Sequence, residues 1–149
     1  MNRSARETAT DYAEEKIKSY LDAKEYAPAL LLSANYVHMR LKSLLADRLW
    51  RRGDDWRAIH NNLDINFMSA VRLCNFFGLL KGQNPRELRR LWEKRGYGAH
   101  ESGLWRNPSK AEKREIERLC ESAITFLRKT QGSSRHDPMV NPLSHDPKS

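Results

Sequence analysis

The spacing of apolar residues along this chain predicts helices throughout. Apolar positions recur at intervals of three and four, and no stretch alternates apolar and polar residues for long enough to form a strand. The amphipathic segments cover residues 8–23, 28–52, 55–63, 66–80, 85–95 and 110–127. The pattern therefore predicts an all-α, up-and-down bundle of five or six helices with one irregular connection near residues 97–108.

Capping signals mark where several of these helices begin. A short polar side chain before an apolar run can accept the free backbone N–H groups of the first turn, and a Glu three residues later completes a capping box. The signals are Asp54 or Asp55 before the third helix, Asn84 with Pro85 and Glu87 before the fifth, and Ser109 with Glu112 before the last. Gly96 and Gly98 are predicted to end the fifth helix, because glycine disfavours helix interiors.

The folded part is predicted to be a single domain. At 149 residues the chain can bury a conventional core. We expect a flexible N-terminus over residues 1–7, a helical domain over residues 8–130 and a disordered, proline-containing tail over residues 131–149. No apolar run is long enough to span a membrane and the start lacks a hydrophobic signal segment, so a cytoplasmic protein is expected.

The composition narrows the chemistry only slightly. A net charge of +8 fits an acidic partner such as nucleic acid, and it also fits an ordinary surface of solvated Lys and Arg side chains. Cys74 and Cys120 lie in apolar helical patterns and are interpreted as buried thiols. The sequence has no phosphate-binding glycine loop, no serine-hydrolase elbow and no zinc-binding His-Glu-x-x-His motif. We expect neither a cofactor nor a metal.

One polar cluster combines groups that can cleave RNA without a metal. The segment from Lys94 to Glu101 contains Arg95 and His100, separated by two glycines and two other residues. A histidine can exchange a proton with the ribose 2′-hydroxyl or the leaving oxygen, and a guanidinium can stabilise the charge on phosphate. Residues five apart on a helix lie about 140° apart around its axis, so the two side chains can converge only if the backbone leaves the helix between them. The alternative is that neither residue is catalytic: Arg95 compensates the C-terminal end of its helix, and His100 caps a loop.

These residues give the chain its resemblance to a known family. Arg95 and His100 match the motif of the HEPN superfamily of small all-helical domains, in which an arginine and a histidine are separated by four to six residues. The helix order over residues 8–129 is also similar. Gly96 stands where the family often has a polar residue.

The resemblance implies a homodimer in which two motifs meet at the interface. Many members of the family are metal-independent ribonucleases of toxin or defence type, and others only bind RNA or a partner protein such as an antitoxin. By this resemblance Arg95 would hold the phosphate and His100 would be the general acid or base. The product would carry a 2′,3′-cyclic phosphate.

A surplus of basic residues near the motif indicates where single-stranded RNA would lie. The residues that we assign to RNA binding are Arg89, Arg90, Lys94, Trp105 and Arg106. Trp92 is interpreted as a core residue, and His38 as a helix histidine with a satisfied hydrogen bond.

Two other functions remain open from the sequence. The first is a catalytically inactive HEPN-like module that binds a partner protein. The second is a helix-turn-helix DNA-binding protein built from residues 56–80, although its recognition helix would be mostly apolar and would carry a single arginine, Arg72.

Overall fold

The computed structural model describes residues 5–100 and 108–132, with side chains for residues 10–96 and 108–132. This part of the chain contains six helices and no strand, which confirms the predicted all-α bundle. The helices are α1 (Ala5–Asp22), α2 (Tyr26–Leu49), α3 (Trp56–Asn62), α4 (Phe67–Phe76), α5 (Pro85–His100) and α6 (Lys110–Lys129). Across the described residues, no helix has the length and apolar character that crossing a membrane requires.

The capping signals in the sequence act as predicted at two helix starts. The Asp55 carboxylate accepts the backbone N–H groups of Arg57 and Ala58 at the start of α3. Ser109 and Glu112 form the complete, reciprocal capping box at the start of α6. Each of these short polar side chains therefore fixes the residue at which its helix begins.

The start of α5 is capped differently from the prediction. The Asn84 side chain accepts the backbone N–H of Arg86 at 2.9 Å. The Glu87 carboxylate, however, binds the Arg118 guanidinium of α6 instead of turning back to complete a capping box. An ion pair between helices has replaced a local contact, because the packing of α5 on α6 brings a cation within reach.

Helix α2 is the centre of the bundle. It packs against each of the other five helices, and α6 also packs against α1 and α5. Its buried positions recur at helical spacing, and in the main core they meet apolar residues of α1, α4, α5 and α6. The largest fully buried apolar residues are Ile17, Leu30, Leu41, Phe67, Leu88, Leu91, Ile116, Leu119, Phe126 and Leu127.

A fully buried arginine joins the middle of α2 to the end of α6. The Arg40 guanidinium donates to the carbonyl oxygen of Leu127 at 2.8 Å and to Oγ1 of Thr130 at 2.7 Å. The last carbonyls of a helix have no partner within it, and its C-terminus carries partial negative charge. Arg40 therefore caps α6 from inside the bundle.

Candidate nucleic-acid interface

Helix α5 carries the predicted site and is held by packing on one face. Leu88 and Leu91 are buried, and the helix lies against α2, α4 and α6. The residues assigned to RNA binding on α5 lie on its remaining surface, where their side chains meet either solvent or the polar side of α6. This packing fixes the position of each charged group on α5.

Three cations of α5 are engaged by carboxylates of the protein itself. Arg89 pairs with Glu93 at 3.2 Å on the exposed surface. Arg90 donates two hydrogen bonds, of 2.6 and 3.1 Å, to the two carboxylate oxygens of Glu115 on α6. Lys94, which is 7% exposed, also contacts Glu115, at 3.2 Å. Arg90 and Lys94 thus hold α5 to α6, and the Lys94 ammonium is largely withdrawn from solvent.

The pKa of Glu115, the carboxylate that Arg90 and Lys94 share, is strongly lowered. The two hydrogen bonds from Arg90, together with the charge and hydrogen bond of Lys94, lower the pKa of Glu115 to about 2, although partial burial opposes the shift. Glu115 therefore remains ionised across the ordinary pH range. No local pattern in the sequence predicts this cluster, because its members lie on two helices more than twenty residues apart.

Arg95 has a different environment from its neighbours on α5. Its guanidinium lies 3.7 Å from the centroid of the Trp92 ring, a close cation–π contact. The Trp92 ring in turn stacks on buried Phe67, with centroids 4.7 Å apart and planes 12° from parallel. The ring contacts extend from the core to the guanidinium, so they hold Arg95 in one place at the edge of the bundle.

His38 completes this group of rings. It meets Phe67 and Trp92 edge-on, at centroid distances of 5.8 and 6.3 Å. Its Nε2 lies 2.9 Å from the carbonyl oxygen of Ile65, and because a carbonyl only accepts, Nε2 donates. The predictions that His38 has a satisfied hydrogen bond and that Trp92 packs on the core are both confirmed.

Arg95 also has unused hydrogen-bonding capacity. Its Nε is buried and has no hydrogen-bond partner among the described residues, and no described carboxylate pairs with the guanidinium. Such an atom is costly to bury, so it is normally satisfied by water or a ligand. Sequence reasoning identified Arg95 but not the support from Trp92, although their spacing of three residues on one helix signals a contact.

The prediction that Gly96 and Gly98 end the helix is wrong. Helix α5 continues to His100. Glycine costs only about 1 kcal/mol in a helix interior, which the buried turns before Gly96 can offset. Positions 95 and 100 therefore lie about 140° apart around one helix axis, so they are on different sides of it. The side chain of His100, and Trp105 and Arg106, lie outside the described residues.

The described region holds neither an activated cysteine nor a cluster of metal-binding side chains. Burial raises the pKa of the Cys74 thiol to about 12 and that of Cys120 to about 11, so both stay protonated at neutral pH. Their predicted burial is confirmed. Within residues 5–100 and 108–132, no three His, Cys, Asp or Glu side chains are grouped as a metal would require.

Comparison of the chain with protein-family models, with curated proteins and with solved structures found no match.

Proposed function

We propose that this protein binds single-stranded RNA through a HEPN-like site centred on Arg95. The observation that supports this proposal is the state of the Arg95 guanidinium, which is fixed on Trp92 and has no carboxylate partner among the described residues. Arg89, Arg90 and Lys94, by contrast, are paired with Glu93 or Glu115. A guanidinium that is held in place but not neutralised is suited to bind a phosphate from outside the chain.

The chemistry that we propose for this site is metal-independent cleavage of the RNA backbone. His100 would take the proton from the ribose 2′-hydroxyl, whose oxygen attacks the adjacent phosphorus as the bond to the 5′-oxygen breaks. The leaving 5′-oxygen takes a proton from solvent water, and the other product retains a 2′,3′-cyclic phosphate. Arg95 would stabilise the charge that grows on the phosphate oxygens.

The helical geometry favours a site shared by two copies of the chain. Positions 95 and 100 of one α5 lie on different sides of the helix axis, so a phosphate held by Arg95 does not face position 100 of the same helix. A homodimer could bring position 100 of one chain to Arg95 of the other. We therefore include the homodimer in the proposal.

Binding and cleavage can be tested on the same variants. We expect Arg95→Gln to weaken the binding of a fluorescent single-stranded RNA by about tenfold, since a charge-assisted hydrogen bond is lost. The slope of log affinity against log salt should also flatten by about 0.7. Arg57→Gln, which removes the same charge from an exposed position on α3, is the matched control. An equal loss in both variants would indicate binding through net charge alone.

His100→Ala should separate the two activities. Cleavage in EDTA should be lost while RNA affinity stays nearly constant, because proton transfer matters only in the transition state. An RNA with a 2′-deoxyribose at the cleaved position should resist cleavage. Cleavage that requires a metal ion and survives in His100→Ala would contradict the proposed mechanism.

A further inference from the structure

Helix α4 and its C-cap residue carry apolar residues on two neighbouring faces. Phe67, Ala70, Val71 and Cys74 face the core and are buried. On the adjacent, solvent-facing side Leu73, Phe76 and the C-cap residue Phe77 are 42%, 81% and 36% exposed; we call these three residues the α4 patch. At 100° per residue they fall within an arc of about 100° at the end of the helix. The rings of Phe76 and Phe77 meet edge-to-face at 5.3 Å, so the patch is continuous.

Two arginines border the α4 patch. The Arg48 guanidinium, from the last turn of α2, lies 4.9 Å from the centroid of the Phe77 ring. Arg72 is exposed and precedes Phe76 by one helical turn. Neither pairs with a carboxylate in the described part of the chain. The sequence has no Asp or Glu from residue 65 to residue 86, so no acidic side chain of this segment neutralises the patch.

We propose that the α4 patch docks an acidic amphipathic helix of another protein. A helix whose apolar arc is wider than the face it buries is typical of one that packs against a second element as well. The helical spacing of Leu73 and Phe76 presents a ridge that fits the groove of a second helix. Aromatic residues next to arginine are the composition from which interface hot spots are built. The guanidiniums of Arg48 and Arg72 would pair with carboxylates at the edges of the partner helix's apolar face.

The same charges argue against a second copy of this chain as the occupant. A symmetric contact between two α4 patches would bring Arg48 and Arg72 of both chains into one interface. Four guanidiniums without described counter-charges would then repel each other. An RNA strand is also a poorer fit, because Phe76 offers the one uncovered ring of the α4 patch: Arg48 covers the Phe77 ring, and Leu73 has no ring on which a base could stack. This inference does not depend on the proposed RNA site.

A synthetic peptide can serve as the probe. It is a helical peptide of about 20 residues with leucines along one face and glutamates beside them, labelled for fluorescence anisotropy with the full chain. The control peptide has lysine at every glutamate position. We expect the glutamate peptide to bind at least about tenfold more tightly than the lysine peptide. Phe76→Ser should weaken binding of the glutamate peptide by about tenfold or more.

Matched variants distinguish peptide binding at the α4 patch from non-specific peptide binding to other exposed side chains. Tyr12→Ser removes another exposed aromatic ring, 57% exposed on α1, and should leave peptide binding unchanged. The double variant Arg48→Gln, Arg72→Gln should bring the two peptides to similar affinity. Because Phe76 is so exposed, Phe76→Ser should keep the far-ultraviolet circular dichroism of the wild type, and Leu73→Ser gives an independent test of the same surface.

Four results would overturn the docking proposal. The first is equal binding of the glutamate and lysine peptides by the wild type, and the second is peptide binding that Phe76→Ser does not change. The third is a loss of RNA affinity in Phe76→Ser, which would assign the patch to RNA. The fourth is conversion of a dimer to a monomer by Phe76→Ser, which would assign it to a second copy. Unchanged RNA binding in Phe76→Ser would keep this proposal separate from the Arg95 site.

Discussion

At the scale of single residues, Glu115 is the most heavily engaged side chain of the candidate site. It accepts two hydrogen bonds from Arg90 and makes an ion pair with Lys94, which is nearly buried. A buried ammonium without its counter-charge is costly, so the carboxylate both joins the helices and permits the lysine to lie between them. Arg90 and Lys94, which the sequence assigns to RNA binding, are therefore part of the contact between α5 and α6.

This arrangement predicts a pH-dependent stability. The pKa of Glu115 is lowered on folding, so its contribution is complete above about pH 5 and is lost as the pH falls towards 2. We expect Glu115→Gln to lower the free energy of unfolding by roughly 1–3 kcal/mol at pH 7. The difference from the wild type should shrink towards zero near pH 2. Urea unfolding at a series of pH values measures it.

The control is Glu117→Gln, which removes a carboxylate from an exposed position of the same helix. It should change stability little at any pH. A difference between Glu115→Gln and the wild type that stays constant from pH 7 to about pH 2 would show that the carboxylate charge is not what stabilises this contact.

At the scale of the helix, α5 is longer than its sequence predicts. Gly96 lies within the helix, and apart from its chain neighbours and the backbone of its own helix no described atom lies within 4 Å of the point where a Cβ would stand. The glycine therefore meets no steric requirement in this conformation. It weakens the helix without ending it.

Alanine at this position should therefore stabilise the protein. We expect Gly96→Ala to raise the free energy of unfolding by about 0.5–1 kcal/mol, through the lower backbone entropy of the unfolded chain. Thermal unfolding followed by circular dichroism measures the effect. The control is Gly53→Ala, which should destabilise because Gly53 has a φ of +96°. A lower melting temperature for Gly96→Ala would mean that the glycine serves a conformation other than this helix.

Helix type and order could be predicted from the sequence because they depend on local periodicity. Ser109 and Asp55 act within one turn of their own positions, so their caps were also predictable. The end of α5 was not, since a small local cost at Gly96 competes with packing against other helices. The contact of Trp92 with Arg95 could be predicted from their spacing on one helix. The stacking of Trp92 on Phe67 could not, because Phe67 comes from a separate helix.

At the scale of the whole molecule, the proposed homodimer must form against a charge of +8 on each chain. Light scattering should give a mass twice the 17.4 kDa of the chain, and higher salt should favour the dimer by screening the repulsion. A mass of one chain at every concentration and salt would rule out the shared site.

Mixed dimers test the sharing directly. Arg95→Gln and His100→Ala chains, each inactive alone, should regain about a quarter of wild-type cleavage when unfolded and refolded together, because half the dimers are mixed and each has one complete site. If both residues of a site came from one chain, the mixture would stay inactive. The recovered fraction therefore reports which chain supplies each group.

The buried Arg40 also has a consequence for how the protein is made. Its acceptors at Leu127 and Thr130 lie 87 and 90 residues later in the chain. A nascent chain that has emerged only as far as α5 would therefore have to bury a guanidinium without these acceptors or leave the core around α2 open. Co-translational folding should not reach the native bundle until α6 has left the ribosome. The last folding step then has to form contacts between residues that are far apart in the sequence. A premature stop before residue 127 would then yield a chain that chaperones and proteases recognise as unfolded, not a smaller working domain.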